Sequence, residues 1–133
     1  MSAQVEADTA GPRPEIVITT VDAEGENVTL VRLIGEIDLE VAPELRGGIT
    51  KAIKRGARSM VFDLAQATFI DSTTLGVLVG GVKRLRPAGG SLTIVCADQN
   101  ICKIFEITGL DRVFPIHGSR EEALAALSSG AES

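Results

Sequence analysis

The apolar residues of this 133-residue chain change their spacing several times, and this change constrains the fold more than any other feature. Short apolar runs at 28–34, 59–65 and 91–97 alternate with stretches in which apolar residues recur at helical spacing. The first pattern is typical of strands and the second of amphipathic helices. Strands that alternate with helices require right-handed crossovers, which produce a mostly parallel sheet. The sequence therefore predicts an α/β fold.

The order of the predicted elements describes a single domain. Strands at 16–21 and 28–34 are separated by a short turn, so they must run antiparallel as a hairpin. Helices are predicted to begin near Pro43, at Ser72, after Asp98 as N-cap and after Ser119, which gives about four helices. With a short last strand at 113–116, the order is β-β-α-β-α-β-α-β-α. The domain is predicted over residues 14–128, with a flexible lead at 1–13 and a frayed tail at 129–133.

Composition and charge exclude several classes of function. The chain has four Phe, no Tyr, no Trp and a formal net charge of −5, so it lacks the stacking faces and positive field of a nucleic-acid binder. One His and two cysteines without CxxC spacing predict no metal site, and Cys96 and Cys102 are predicted to be reduced, buried thiols. A polar start and the lack of an 18-residue apolar window predict no membrane segment and a cytoplasmic location.

One segment, F-I-D-S-T-T-L-G-V-L-V-G-G at 69–81, points to a function. Ser72, Thr73 and Thr74 follow Asp71 at a predicted helix N-terminus, where the first backbone N–H groups have no intrahelical partner. These amides and the helix dipole would accept a phosphate on Ser72, which would add roughly −1.5 to −2 charge beside Asp71. The same residues also fit a helix cap that has no further function.

Enzymatic readings find little support in the sequence. No glycine-rich phosphate-binding loop of P-loop or dinucleotide type is present, and a single His suggests no catalytic triad. An aspartyl-phosphate receiver would need paired acidic residues after the first strand and a lysine after a late strand. The first predicted strand ends without such a pair, and the only lysine after Leu92 is Lys103, inside a predicted helix, so this class fits poorly. We therefore predict a protein that is not an enzyme and that uses no cofactor.

Five short motifs occur in one order along the chain. They are Gly-Glu-Ile-Asp at 35–38, Val-Phe-Asp-Leu at 61–64, Asp-Ser-Thr-Thr-Leu-Gly at 71–76, Gly-Gly-Ser-Leu at 89–92 and Phe-Glu-Ile-Thr-Gly-Leu at 105–110. Through these motifs the chain, from about residue 16 to residue 127, resembles the STAS-domain anti-sigma factor antagonists of bacteria. The resemblance implies a single STAS-like domain with a mixed, mostly parallel sheet and a β-hairpin at its start.

The resemblance also implies a partner-switching function. The unphosphorylated protein would bind an anti-sigma factor, itself a serine kinase, and so release a sigma factor. Phosphorylation of Ser72 would abolish this binding, and a serine phosphatase would restore it. The partner-binding residues carried over from the family are Glu36, Asp38, Asp71, Ser72, Thr73 and Leu75. The free protein is expected to be a monomer.

Two points stay open at this stage. Thr74 stands where the family usually has glycine; the change is mild if the residue is already helical, but the backbone would be strained if it needs a positive φ. The threonine also adds a hydroxyl near the site, so Thr73 and Thr74 are secondary acceptor candidates. Glu36 and Asp38 also fit solvated carboxylates near a helix start. The alternative function is a STAS-fold scaffold or regulatory binding module without a phosphorylation switch.

Overall fold

The computed structural model describes residues 14–23 and 25–128, so the predicted lead at 1–13 and tail at 129–133 lie outside the described residues. The described residues form six strands and four α-helices. The strands are β1 (Glu15–Ala23), β2 (Glu26–Ile37), β3 (Ser59–Asp63), β4 (Ala67–Ile70), β5 (Ser91–Val95) and β6 (Ile116–His117). The helices are α1 (Ala42–Lys54), α2 (Ser72–Leu85), α3 (Gln99–Ile107) and α4 (Arg120–Ser128), with 3-10 turns at Arg86–Ala88 and Leu110–Arg112.

The sheet has the mixed topology that the strand and helix patterns predict. Its strand order is β1-β2-β3-β5-β6, and β4 pairs with β2 beside this path. Only β1 and β2 pair antiparallel among the described strands, while β2, β3, β5 and β6 pair parallel with their neighbours. The predicted α/β class, the opening hairpin and the mostly parallel sheet are therefore confirmed.

Two details of the predicted order were wrong. Strand β4, at Ala67–Ile70, was not predicted, because four residues are too few to establish an alternating pattern. The last strand was placed at 113–116 but lies at Ile116–His117. The apolar residues just before it instead follow a 3-10 turn at Leu110–Arg112 and fill the core, where the Phe114 ring packs edge-on against Phe105 at 6.2 Å.

Helices cover the sheet unequally. Helices α1, α2 and α3 pack on one face and bury the larger, mostly aliphatic core, which includes Leu33, Leu45, Phe62, Leu78, Ile94 and Phe105. The opposite face is covered by α4, where Ala123 packs against Val28, Leu30, Val61 and Val95. A membrane-spanning helix needs about 20 apolar residues, and none of the helices within the described residues meets that requirement.

Two glycines let the backbone approach neighbouring elements closely. A Cβ on Gly48 in α1 would lie 2.6 Å from Cδ1 of Ile18 on β1, so this glycine permits the helix to pack tightly on the hairpin. At Gly90 an added Cβ would overlap the backbone carbonyl of Arg58, which accepts a hydrogen bond from Ser91 N. The glycine pair before β5 therefore sets the distance between β5 and the start of β3.

Asp63, at the end of β3, connects the two sides of the fold. Its Oδ1 accepts a hydrogen bond from Ala65 N at 2.9 Å. Its Oδ2 also lies 3.2 Å from Nε of Arg120, a pairing that the sequence pattern did not predict. Because the Asp63 side chain is almost fully buried while Arg120 is half exposed, this ion pair anchors the first turn of α4 to the sheet.

Thr93, in the middle of β5, carries a buried hydroxyl that has no hydrogen-bond partner among the described residues. A buried polar group without a partner destabilises the folded state. We therefore expect Thr93→Val to raise the free energy of unfolding by about 1 kcal/mol, measured by urea denaturation. Thr74→Val is the matched control and should lower it, because the buried Thr74 hydroxyl is hydrogen-bonded. A loss of stability in Thr93→Val would contradict the prediction.

Candidate functional site

The site begins where β2 changes its neighbour. Residues 28–32 of β2 pair with β3, whereas Gly35, Glu36 and Ile37 pair with β4. The register shifts between Gly35 and Glu36, and Gly35 has a φ of 86°, a conformation that favours glycine. The Gly-Glu-Ile-Asp motif therefore bends the end of β2 onto β4. This bend brings the loop after β2 beside the residues that lead into α2.

Asp71 is the N-cap of α2. Its Oδ1 accepts hydrogen bonds from the backbone N–H of Thr74 at 2.9 Å and from the Thr74 hydroxyl at 3.0 Å. That hydroxyl also lies 3.0 Å from the carbonyl oxygen of Ile37, at the end of β2. Asp71, Thr74 and Ile37 thus form one hydrogen-bonded cluster, which holds the start of α2 against β2. The capping interpretation of Asp71 is confirmed.

The three adjacent hydroxyls fall into two groups. Ser72 is the first residue of α2, and both Ser72 and Thr73 are exposed. Thr74 is fully buried and in helical conformation, so it occupies the usual glycine position without needing a positive φ. Its hydroxyl is inaccessible to another protein. Thr74 is therefore not proposed as a phosphate acceptor, whereas the exposed hydroxyls of Ser72 and Thr73 are candidates for phosphorylation.

The loop between β2 and α1 forms the second part of the site. Asp38 is half-buried, and its Oδ1 accepts a hydrogen bond from Glu40 N at 3.0 Å, a turn that leads directly into α1. Glu36 is exposed, and its register partner on β4 is Phe69. Leu39 and Phe69 expose 64% and 47% of their surface. Single exposed apolar residues are common on protein surfaces, so it is the position of these two beside the Asp71–Ser72 segment that makes them candidates for a partner contact.

The predicted partner-binding residues are not equally placed to contact a partner. Glu36, Ser72 and Thr73 are exposed, and Asp38 and Asp71 are half-buried. Leu75 is only 7% exposed and packs in the core, so little of its side chain is open to a partner. Sequence patterns did not indicate Leu39, which directly follows the Gly-Glu-Ile-Asp motif, or Phe69, the first residue of the segment 69–81, although both are large apolar residues.

The charge of this surface is negative. The two segments that form this surface carry four acidic residues, Glu36, Asp38, Glu40 and Asp71. This negative charge favours a partner with basic residues around an apolar contact. Within residues 14–23 and 25–128, no group of His, Cys, Asp or Glu side chains is arranged to hold a metal ion. The two segments therefore form an exposed acidic surface, the candidate docking surface, with an accessible hydroxyl at a helix N-terminus.

The chain thus combines a mixed α/β sheet covered by helices on both faces with an exposed serine directly after the N-cap of a helix. A STAS domain model matches residues 20–123. The anti-sigma-B factor antagonist of Bacillus subtilis (strain 168) is 35% identical over 98 residues, which cover 74% of this chain and 89% of the relative. The chain belongs to the STAS-domain family of anti-sigma factor antagonists.

Solved structures agree with this assignment. An anti-sigma factor antagonist from Mycobacterium paratuberculosis superposes with a TM-score of 0.73 and 28% identity, covering 84% of this chain and 93% of the other. The Bacillus cell fate determinant SpoIIAA in its phosphorylated form superposes with a TM-score of 0.68 and 23% identity, covering 85% of this chain and 99% of the other. At that identity SpoIIAA supports the fold alone.

Proposed function

We propose that this protein is an anti-sigma factor antagonist that works by binding rather than by catalysis. In its unphosphorylated form it binds an anti-sigma factor that is a serine kinase, and a sigma factor is thereby released. The kinase phosphorylates Ser72, which abolishes the binding, and a serine phosphatase removes the phosphate. As the sequence predicts, the protein would act in the cytoplasm and would be a monomer when free.

The observation that carries this proposal is the position of Ser72. Its side chain is exposed at the first residue of α2, while the adjacent Asp71 is fixed by Thr74. A kinase therefore meets an accessible hydroxyl on a rigid frame, and the positive end of the helix dipole stabilises the added phosphate. Phosphorylation would change the charge of the docking surface while leaving the cap intact.

The family members support the same function. The Bacillus subtilis relative is an antagonist of an anti-sigma factor, and its match spans most of both chains. SpoIIAA, whose similarity to this chain supports the fold alone, exists in a phosphorylated form. These facts concern the relatives, and the proposal extends them to this chain through the matched Asp71–Ser72 segment and its exposed neighbours.

Phosphosite mapping by mass spectrometry, together with affinity capture on the unmodified protein, tests the proposal. We expect one condition-dependent phosphate on Ser72, and capture of a serine kinase by unmodified but not by phosphorylated protein. Phosphate found only on Thr73 would move the switch by one residue. Partner capture without phosphorylation under any condition would support the alternative, a STAS binding module without a switch. Failure of both experiments would contradict the proposed function.

Phe69 is expected to be an anchor of the partner contact. Truncating a large side chain in the centre of an interface weakens binding by about 2 kcal/mol, or about 30-fold. Phe69→Ala should therefore raise the Kd for the captured kinase by about 30-fold. Calorimetric titration measures this change. Ile18→Ala is the matched control, because Ile18 is also partly exposed but lies on β1 opposite Val31. Equal losses for both variants would contradict the assigned surface.

A further inference from the structure

Cys96 and Cys102 lie next to each other at the end of β5. Cys96 directly follows this strand, and Cys102 is in the first turns of α3. Both cysteines are free, and their Sγ atoms are 2.8 Å apart. That separation exceeds the about 2.05 Å of a disulfide bond, and it places the Cys102 thiol within hydrogen-bond distance of the Cys96 sulfur. Very little movement would join the two sulfur atoms.

The local structure holds the two thiols in this position. Asp98 is the N-cap of α3 and accepts hydrogen bonds from Asn100 N at 2.7 Å and Ile101 N at 3.2 Å. The Cys102 N–H donates to the Asp98 carbonyl oxygen at 2.9 Å, and the Cys102 thiol donates to the Cys96 carbonyl oxygen at 3.3 Å. Cys96 is fixed in turn by its N–H bond to the His117 carbonyl oxygen at 2.9 Å. The capped turn therefore positions both sulfur atoms.

We propose that Cys96 and Cys102 are a redox modification site that forms a reversible intramolecular disulfide when the protein meets a peroxide. In the first step the Cys102 thiolate attacks one peroxide oxygen, the O–O bond breaks, and Cys102 becomes a sulfenic acid as water or an alcohol leaves. In the second step the Cys96 sulfur attacks the Cys102 sulfur, and the hydroxyl group leaves as water with the Cys96 proton. Two thiols lose two electrons, and the peroxide gains them.

The surroundings of the two thiols set the order of these steps. Cys96 is only 4% exposed, whereas Cys102 is half-buried and accessible to a small oxidant. Burial, and then the neighbouring Cys102 thiol, raise the pKa of Cys96, which keeps it protonated and slow to react with peroxide. Cys102 is therefore the thiol that reacts with peroxide, and Cys96 is the resolving thiol.

The thiol pair lies at the edge of the sheet that carries the proposed docking surface. Leu64, just after β3, donates its N–H to the Val95 carbonyl oxygen, so the carboxyl ends of β3 and β5 meet beside Cys96. Helix α3 also contacts β4, the strand that presents Phe69. A disulfide would fix the first turns of α3 to β5. The proposal itself does not depend on the proposed function, because disulfide formation is measured without a partner.

Peptide mapping of the whole reduced protein after treatment with hydrogen peroxide tests the proposal. Cleavage after Arg84 and Lys103 yields one peptide, 85–103, that contains both cysteines. We expect this peptide to lose the mass of two hydrogen atoms after oxidation, and dithiothreitol to restore the mass. The result that would overturn the proposal is a protein that stays folded by circular dichroism while both thiols remain open to alkylation after peroxide.

Single variants separate the two roles. Cys96→Ser should accumulate a sulfenic acid on Cys102 that dimedone traps, because the resolving thiol is missing. Cys102→Ser should remain unmodified at Cys96 under the same conditions. The proposal would be overturned if dimedone trapped Cys96 in Cys102→Ser as fast as it traps Cys102 in Cys96→Ser. It would also be overturned if peroxide produced disulfides between two chains in place of the intramolecular bond.

Discussion

Replacing Ser72 by aspartate is expected to raise the Kd for the kinase partner by about 30-fold or more, which is about 2 kcal/mol of binding free energy. A kinase holds the acceptor hydroxyl opposite the terminal phosphate of its nucleotide, so a carboxylate at this position faces negative charge. Such like-charge contacts cost several kcal/mol. Asp71, fixed beside it, adds a second negative charge. Calorimetric titration with the nucleotide-bound kinase measures the change.

Three controls make the Ser72 experiment specific. Ser72→Ala should keep the affinity within about twofold, because it adds neither charge nor bulk and most interface residues contribute little when truncated, and it should no longer be phosphorylated. Thr73→Asp adds the same charge one residue further along α2 and should weaken binding less. The melting temperature of Ser72→Asp should not fall, because the helix dipole favours a carboxylate there. Wild-type affinity of Ser72→Asp would contradict a charge-based switch.

Local patterns were sufficient to predict most of the fold. The hairpin follows from two strand patterns separated by a short turn, and the helix starts at Ser72 and Gln99 follow from the capping residues Asp71 and Asp98. Each of these features depends on residues within a few positions of one another. Their physical causes, which are side-chain periodicity and satisfaction of terminal N–H groups, are visible in the sequence.

Features that depend on distant residues were not predictable in this way. Three features become visible only in the folded structure. They are the ion pair between Asp63 and Arg120, the pairing of β4 with β2, and the contact between the two cysteine sulfurs. Neither the spacing nor the type of these residues indicates the partner. For β4 the segment is also too short to show its own pattern.

Leu75 shows how two lines of sequence reasoning can disagree. Helical periodicity places Leu75 on the inward face of α2 with Leu78, whereas the family resemblance suggests it as a partner contact. The structure buries both leucines in the same core. Periodicity was the better guide, because the direction of a helical side chain follows from its position relative to its neighbours. The same rule separates buried Thr74 from exposed Thr73.

Replacing Thr74 by glycine is expected to lower the free energy of unfolding by about 2–4 kcal/mol. The variant loses the hydroxyl that joins Asp71 to the carbonyl oxygen of Ile37, it loses a buried methyl group, and it places glycine in a helix. Thr74 therefore helps to hold the start of α2 against β2, beneath the proposed docking surface. Urea denaturation measures the loss.

Two matched variants show which part of the Thr74 side chain is responsible. Thr73→Gly, at the adjacent exposed position, should cost only about 0.3–0.5 kcal/mol, because threonine is itself a poor helix former. Thr74→Ser keeps the hydroxyl and should lose about 1 kcal/mol with the methyl group. If Thr74→Gly were no less stable than Thr73→Gly, the hydrogen bonds to Asp71 and Ile37 would contribute nothing measurable. The start of α2 would then depend on the Asp71 cap alone, and glycine and threonine would be equivalent at this position of the motif.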